Sequence, residues 1–210
     1  GGDYVPFEGI CLTDTFQMYE KDDLVNELLV QNSARRTRQK KLDIRVIIGN
    51  PPYSVGQKSE NDNNDNVVYP HLDSRIRDTY VARSSATLSK NLYDSYIRAI
   101  RWASDRIGNS GVVGFVSGSG FVEKPAMDGM RKALAEEFTN MYVLNLRGDI
   151  RKNMLSKGRA KEGQNVFGSG SMTGIAITLF VKNPDAKQHG QIYYHNIGDD
   201  LTQSEKLEKL

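Results

Sequence analysis

The sequence lacks several features that would place it in a large class of proteins at once. Its 210 residues include a single cysteine, Cys11, which excludes an internal disulfide framework and favours a reducing compartment. The three histidines are scattered and no Cys/His spacing is present, so we expect no zinc site and no other metal in this domain. No apolar run of about eighteen residues and no signal-peptide pattern occur, so we expect a cytoplasmic protein without membrane contact.

A strong charge imbalance is also missing. The formal net charge is +2, which by itself does not indicate a nucleic-acid partner. The length suffices for one domain with a sizeable core, and the chain contains no internal repeat. We therefore expect residues 1–210 to form a single domain.

The sequence does contain a predicted strand that stops abruptly at two prolines. Residues 46–48 form an apolar, β-branched run that predicts a buried strand, and this run ends at Gly49. Pro51 and Pro52 cannot donate to a sheet ladder, and Asn50 is disfavoured in the helical region because a proline follows it. The pattern predicts a rigid, extended corner at the carboxyl end of the strand, where open α/β sheets place their ligands.

The residues of this corner offer three chemical groups. Asn50 supplies a side-chain amide, Pro51 an exposed backbone carbonyl and Tyr53 an aromatic face. Together these groups could hold a planar molecule that carries an exocyclic amine. The alternative, a strand ended by prolines without any function, stays open on the residues alone.

An acidic residue near the start of the chain is a second candidate. Residues 7–12 form a short apolar stretch that predicts a strand, and Asp14 follows it closely. An acid at the end of a strand in a nucleotide-binding sheet can accept hydrogen bonds from a cofactor's adenine or ribose. The same residue could instead cap the turn or helix that follows, and the spacing does not separate these two roles.

The remaining pattern alternates between helices and strands. A helix is predicted to open at Asp22 and Asp23, with a strongly basic end at 35–41. The clearest helix covers 88–107, where apolar residues recur at three- and four-residue steps before Gly108. This rhythm is typical of an α/β fold with a Rossmann-like, doubly wound, mostly parallel sheet and helices on both faces. Further strands are predicted at 111–116, 141–146, 174–181 and 191–197, and a further helix from Pro125.

Two long polar loops interrupt this pattern. Residues 55–66 are dominated by Asn, Asp, Ser and Glu, so we expect a mobile loop, either beside the corner or without any role. Residues 148–170 are rich in Lys, Arg, Gly and Asn, and loops of that length are usually functional or disordered. Basic residues here are candidates for contact with DNA phosphates, although a solvated crossover is the alternative. These candidates are Arg147, Arg151, Lys152, Lys157, Arg159 and Lys161.

The segment Asn50-Pro51-Pro52-Tyr53 resembles the catalytic tetrapeptide of amino methyltransferases that use S-adenosylmethionine, above all the gamma-type DNA adenine-N6 enzymes. The resemblance implies that Asn50 and the Pro51 carbonyl accept the hydrogens of an adenine amine. It also implies that Tyr53 stacks on the base after the base has been flipped out of the duplex. In the resembled family, the residue that corresponds to Asp14 contacts the adenine of S-adenosylmethionine.

A second resemblance rests on six blocks of sequence. The blocks are 50–54, 91–96, 100–103, 146–149, 165–171 and 175–178. They are similar to the methylase module of helicase-containing, single-polypeptide restriction–modification proteins. This similarity implies double-stranded DNA as a partner, a bacterial host, and helicase, nuclease and target-recognition domains in the same parent chain.

One part of the resembled enzymes has no counterpart in this sequence. In that class a glycine-rich strand–turn–helix, which cradles the cofactor, precedes the catalytic tetrapeptide, and residues 1–49 do not show it. We therefore expect the C-terminal, target-base part of a catalytic domain, inactive alone and weak in binding S-adenosylmethionine. Two alternatives remain: an amino methyltransferase acting on protein glutamine or RNA guanine, and a non-catalytic DNA-binding module.

Overall fold

The computed structural model describes residues 7, 9–17, 20, 30–52, 68–86, 90–168 and 171–210. Tyr53, the predicted helix start at Asp22 and Asp23, and the loop 55–66 lie outside these residues. The described strands are β1 (Val46–Gly49), β2 (Gly111–Gly118), β3 (Asn140–Arg147), β4 (Ile175–Lys182) and β5 (Gln191–Asn196). The described α-helices are α1 (Val30–Lys41), α2 (Pro70–Thr79), α3 (Ser95–Arg106), α4 (Gly120–Glu123), α5 (Asp128–Glu137), α6 (Ile150–Leu155) and α7 (Gln203–Glu208).

The five strands form one sheet in the order β1-β2-β4-β3-β5. β1 pairs with β2 in parallel, and β3 pairs with β5 in parallel. β4 is antiparallel to both of its neighbours, β2 and β3, so four strands point one way and one points back. The α/β, Rossmann-like class with a mostly parallel sheet is therefore confirmed. None of the helices in the described ranges is long and apolar enough to span a bilayer.

The main core lies on the first face of the sheet, under α2, α3 and α5. The apolar positions of α3 fall on one side of the helix, and Ile97 and Ile100 are almost fully buried. They belong to the same buried cluster as Val113 of β2 and Phe180 of β4. This packing places the start of α3 at the carboxyl end of β2, because α3 leads into β2 through a short turn at Gly108.

The second face carries a smaller core, which covers only the carboxyl end of the sheet. Leu146, Val166, Ile175 and Ile197 form this cluster. Elsewhere on the face the side chains are open to solvent. Exposed fractions are 58% for Val46, 82% for Ile48, 42% for Tyr142, 43% for Leu179 and 50% for Tyr193. The prediction of helices on both faces thus overstated the cover of this second face within the described residues.

Three local predictions also differ from the structure. The segment 7–12 was predicted as a strand, but its described residues form no strand, and Phe7 and Leu12 are each 68% exposed. Within the described residues β1 pairs only with β2 and is therefore an edge strand, and Val46 and Ile48 are exposed on its second face, so the predicted burial was wrong there. The segment 148–170 is not a continuous loop, since it contains α6. A run of apolar or polar residues indicates the local preference for a strand or a loop. Whether a strand is buried depends on residues that are far away in sequence.

Candidate active site at the carboxyl end of the sheet

The proline corner lies where β1 leaves the sheet. Gly49 is opposite Phe115 of β2, and a Cβ at Gly49 would lie 3.3 Å from the Phe115 ring. Glycine therefore lets the end of β1 approach β2 closely. Asn50 is exposed and Pro51 is half-buried directly after this point, so the corner stands at the carboxyl end of a strand, as predicted.

A cleft of about 700 Å³ opens at the same end of the sheet. One wall comes from the start of α3 and from the segment after β2, with Asp94, Gly120 and Lys124. The opposite wall comes from α6, with Arg151 and Leu155. A cavity that collects polar groups at the carboxyl ends of neighbouring strands is the usual form of a ligand site in such sheets.

The floor of the cleft is held by a network of polar side chains. The buried Asn145 donates to the Tyr194 hydroxyl at 3.1 Å and to Glu123. Lys152 pairs with Glu123 and lies 3.1 Å from Glu162, which is itself buried. Burial alone would lower the pKa of Lys152, but the hydrogen bonds that it donates to Glu123 and Glu162 raise the pKa above its ordinary value. These contacts fix the cleft before any ligand enters.

Asp94 is a residue of the cleft that sequence reasoning missed. Its carboxylate caps α3 by accepting from the Tyr96 amide at 3.4 Å. Burial raises the pKa of Asp94 to about 6, although the Tyr96 amide and the charge of Lys124 work in the opposite direction. The available signal was an aspartate one residue before a strongly periodic helix, which is a typical N-cap.

Asp14 adopts the capping role that the sequence left as an alternative. Its Oδ1 accepts from the Phe16 amide at 2.9 Å, and its Oδ2 accepts from the Tyr69 hydroxyl at 2.9 Å. Burial and the bond to Asp14 raise the pKa of Tyr69. Arg98 of α3 lies 5.2 Å above the Tyr69 ring, so Asp14 is tied through Tyr69 to the helix α3. Contact with a cofactor stays a prediction for Asp14.

The structure divides the predicted DNA-binding cations into two groups. Arg147 donates to the Lys161 carbonyl at 2.8 Å and to Asp199 at 2.7 Å, so its guanidinium is engaged in contacts within the fold. Lys152 and Lys161 are held in ion pairs, and Arg159 bonds the Ser156 carbonyl. Arg151 and Lys157 are exposed, and their side chains make no hydrogen bond or ion pair to the described residues.

The described residues contain no cluster that suits a metal ion. No three histidine, cysteine, aspartate or glutamate side chains lie close enough together within these ranges to form a coordination sphere. Of the four carboxylates that line the cleft, Glu123 and Glu162 pair with Lys152, and Asp94 and Asp149 accept hydrogen bonds from backbone amides.

Comparison with known proteins gave matches among solved structures. No protein-family model matches the chain, and a search of the curated proteins found no match. The ATP-dependent Type ISP restriction–modification enzyme LlaBIII, bound to DNA, is 47% identical over 99% of the chain, with a TM-score of 0.88. A nuclease-deletion mutant of the Type ISP enzyme LlaGI, in complex with a DNA substrate mimic, is 47% identical over 98%, with a TM-score of 0.87. The DrdV–DNA complex is 38% identical over 98%, with a TM-score of 0.84.

The matched proteins are much longer than this chain. It spans 14% of the LlaBIII chain, 19% of the LlaGI chain and 20% of the DrdV chain. Within that span the alignments cover 98–99% of this chain, with TM-scores of 0.84 to 0.88. The chain therefore belongs to the family of Type ISP restriction–modification enzymes, as the counterpart of one segment of them.

Proposed function

We propose that the chain is the target-base part of a DNA adenine-N6 methyltransferase, which acts within a bacterial, cytoplasmic restriction–modification protein. The observation that carries the proposal is the exposed Asn50-Pro51 corner at the carboxyl end of β1, at the same end of the sheet as the cleft. The family supports it, because its relatives LlaBIII and LlaGI are restriction–modification enzymes that were solved with DNA or a DNA mimic. Double-stranded DNA is accordingly the proposed partner.

The proposed chemistry makes a poor nucleophile better. The lone pair of an adenine amine is delocalised into the ring. If the Asn50 oxygen and the Pro51 carbonyl each accept one N6 hydrogen, the nitrogen becomes pyramidal and its lone pair is freed. These acceptors are fixed dipoles, so they stabilise the transition state without reorganisation. Pro52 keeps the corner extended, and Tyr53 is proposed to stack on the flipped base.

S-adenosylmethionine supplies the electrophilic methyl group when it is bound. The methyl group would be transferred to the N6 amine held by Asn50 and Pro51, with the thioether as the leaving group, and the surplus amine proton would pass to solvent. Asp14 is the residue proposed to hold the cofactor. Each of its oxygens already accepts one hydrogen bond, and each keeps a second lone pair for a ligand hydroxyl or amine. Asp14 is thus the one residue of the described ranges that we propose as a contact for the cofactor.

We expect the 210-residue chain alone to bind S-adenosylmethionine weakly or not at all and to be inactive. The second face of β1 is open in the described residues, and Asp14 is the one proposed cofactor contact. Calorimetric titration of the chain checks this expectation, and a micromolar dissociation constant would contradict it.

DNA contact is proposed for the cations predicted from the sequence, and most strongly for Arg151 and Lys157. The side chains of the other four cations already bond to carboxylates or backbone carbonyls of this chain, so they have less capacity to bind phosphate. Target recognition, translocation and cleavage are proposed to lie in other domains of the same polypeptide.

The test uses the natural full-length polypeptide, radiolabelled S-adenosylmethionine and unmethylated duplex DNA. We expect label in adenine N6 from the unaltered protein, and a labelling rate lower by roughly 100-fold to 1,000-fold from Asn50→Ala. Label in ribosomal RNA or in a glutamine-bearing protein instead would favour an amino methyltransferase with another substrate. A folded, cofactor-binding protein that labels nothing would favour a non-catalytic DNA-binding module.

A further inference from the structure

The end of α6 presents two large apolar side chains to solvent. Met154 is 68% exposed and Leu155 is 87% exposed, the largest fraction among the large apolar side chains of the described residues. Leu155 also lines the cleft at the carboxyl end of the sheet. An exposed apolar pair at the rim of a ligand site is a candidate contact surface.

This end of the helix is held by its own turn. The Gly158 amide donates to the Asn153 carbonyl at 2.8 Å, and the Ser156 hydroxyl accepts from the Ala160 amide at 2.9 Å. Lys157 and Gly158 have positive φ angles of 53° and 79°, which close the turn tightly. Leu155 is therefore presented on a preorganised element.

The charges around Leu155 favour a polyanionic partner. Arg151 and Lys157 flank it in sequence and are the exposed cations without a partner in the described residues of this segment. On the opposite wall of the cleft, Lys124 is exposed and its ammonium group makes no hydrogen bond or ion pair to the described residues. Residues 150–161 contain five Lys or Arg residues and no Asp or Glu. The acidic Glu123 and Glu162 of the cleft share the single ammonium group of Lys152, which offsets one of their two charges.

We propose that Met154 and Leu155 form a duplex-entering contact, in which Leu155 inserts into the base stack beside the cleft while Arg151, Lys157 and Lys124 bind phosphates. The proposal rests on the proposed function, because it takes duplex DNA as the substrate. Proteins that distort a duplex combine such cations with apolar wedges that separate neighbouring bases. A wedge at the rim of the cleft would occupy the space left by a base that has moved into the cleft.

The direct test is photocross-linking in the natural full-length polypeptide. A benzophenone amino acid replaces Leu155, and the matched control carries it at Leu207, which is 54% exposed on α7. Irradiation with end-labelled, random-sequence duplex DNA should transfer label at position 155 and not at 207. A cross-link from position 155 to another part of the protein, or no cross-link at all, overturns the proposal. Because Leu155 is so exposed, its replacement leaves the fold intact.

A second test measures the phosphate contacts. Each phosphate that a cation neutralises contributes about 0.9 to the slope of log K against log salt concentration. Arg151→Gln, Lys157→Gln and Lys124→Gln should each lower that slope by about 0.9. Lys187→Gln is the control, because Lys187 is exposed in the turn between β4 and β5, at the other end of the sheet. Slopes unchanged in all three variants contradict the proposal.

Failure of this inference can be distinguished from failure of the proposed function, since neither test needs cofactor or turnover. If position 155 does not cross-link to DNA while Asn50→Ala abolishes labelling of adenine, the wedge is wrong and the methylation stands. If position 155 cross-links and adenine is never labelled, the DNA contact stands and the reaction is wrong.

Discussion

The two faces of the sheet differ in how they are covered. On the first face even charged residues are enclosed: Arg101 is 1% exposed and binds Glu137 at 2.6 Å. On the second face the apolar side chains of Ile48 and Leu179 are open, and Tyr142 stacks on Tyr193 in solvent with ring centroids 4.8 Å apart. The stability of the described fold therefore resides mainly on the first face. The carboxyl end, which has a core on both faces of the sheet, carries the candidate site.

The largest expected effect lies in the main core. Phe180 of β4 is 1% exposed and packs against Phe121 and Phe138. Phe180→Ala should lower the free energy of unfolding by roughly 3–5 kcal/mol, because it removes buried area and leaves a cavity. Denaturant titration of the chain checks this value. A loss below about 1 kcal/mol, the size of an ordinary surface change, would mean that the first face is not the main core.

A smaller effect is expected where α7 fastens the second face. The buried Lys206 donates to the carbonyls of Leu146, Glu162 and Gln164 at 2.6–3.0 Å. Lys206→Met keeps the volume but removes three hydrogen bonds, and only the Glu162 carbonyl is known to keep another donor, the Gly148 amide. We therefore expect the free energy of unfolding to fall by about 1–3 kcal/mol. Lys209→Met is the control, since the exposed Lys209 makes one such bond, to Ile197. Equal losses in the two variants would contradict a special role for Lys206.

Asp94 makes the first face sensitive to pH at the cleft. Its pKa is about 6 in the fold against 3.8 for the free side chain. Stability from this group is therefore present below pH 3.8 and is lost as pH rises through 6. Asp94→Asn keeps the cap and removes the charge. Between pH 4 and pH 8 the free energy of unfolding of this variant should rise by roughly 1 kcal/mol relative to that of the unaltered chain, a value discounted for partial exposure. Unfolding curves that differ equally at both pH values would contradict this.

The smallest effect is expected at the neighbour of Phe180 on the open face. Leu179 is 43% exposed and points to the second face. Leu179→Ala should change the free energy of unfolding by less than about 0.5 kcal/mol, as for other surface substitutions. The pair Phe180→Ala and Leu179→Ala compares the two faces on one strand by denaturant titration. If the two variants lost similar amounts of unfolding free energy, the second face would be covered in solution.

Local signals in the sequence were enough to place the strands and the corner. β2, β3, β4 and β5 lie within one or two residues of their predicted ranges, because apolar β-branched runs and glycine stops are local features. Asn50 was placed correctly after a strand for the same reason. α3 begins later than predicted, since Lys90–Tyr93 form a 3₁₀ turn before the Asp94 cap.

Features that depend on distant contacts could not be predicted. The reversed direction of β4 follows from its pairing with β2 and β3, which periodicity does not report. The pairing of Arg147 with Asp199, 52 residues away, removed a cation from the predicted DNA surface. The raised pKa of Asp94 results from burial in the folded chain, which the sequence around an aspartate does not reveal.

The account rests on Asn50 acting in the transition state of methyl transfer, and single-turnover kinetics tests this most directly. The natural full-length polypeptide, Asn50→Ala and the exposed control Asn109→Ala are each mixed with saturating cofactor and duplex DNA. We predict that Asn50→Ala lowers the methyl-transfer rate by roughly 100-fold to 1,000-fold, with DNA affinity nearly unchanged, and that Asn109→Ala has no effect. An Asn50→Ala protein that transfers methyl groups at the rate of the unaltered enzyme would contradict the account.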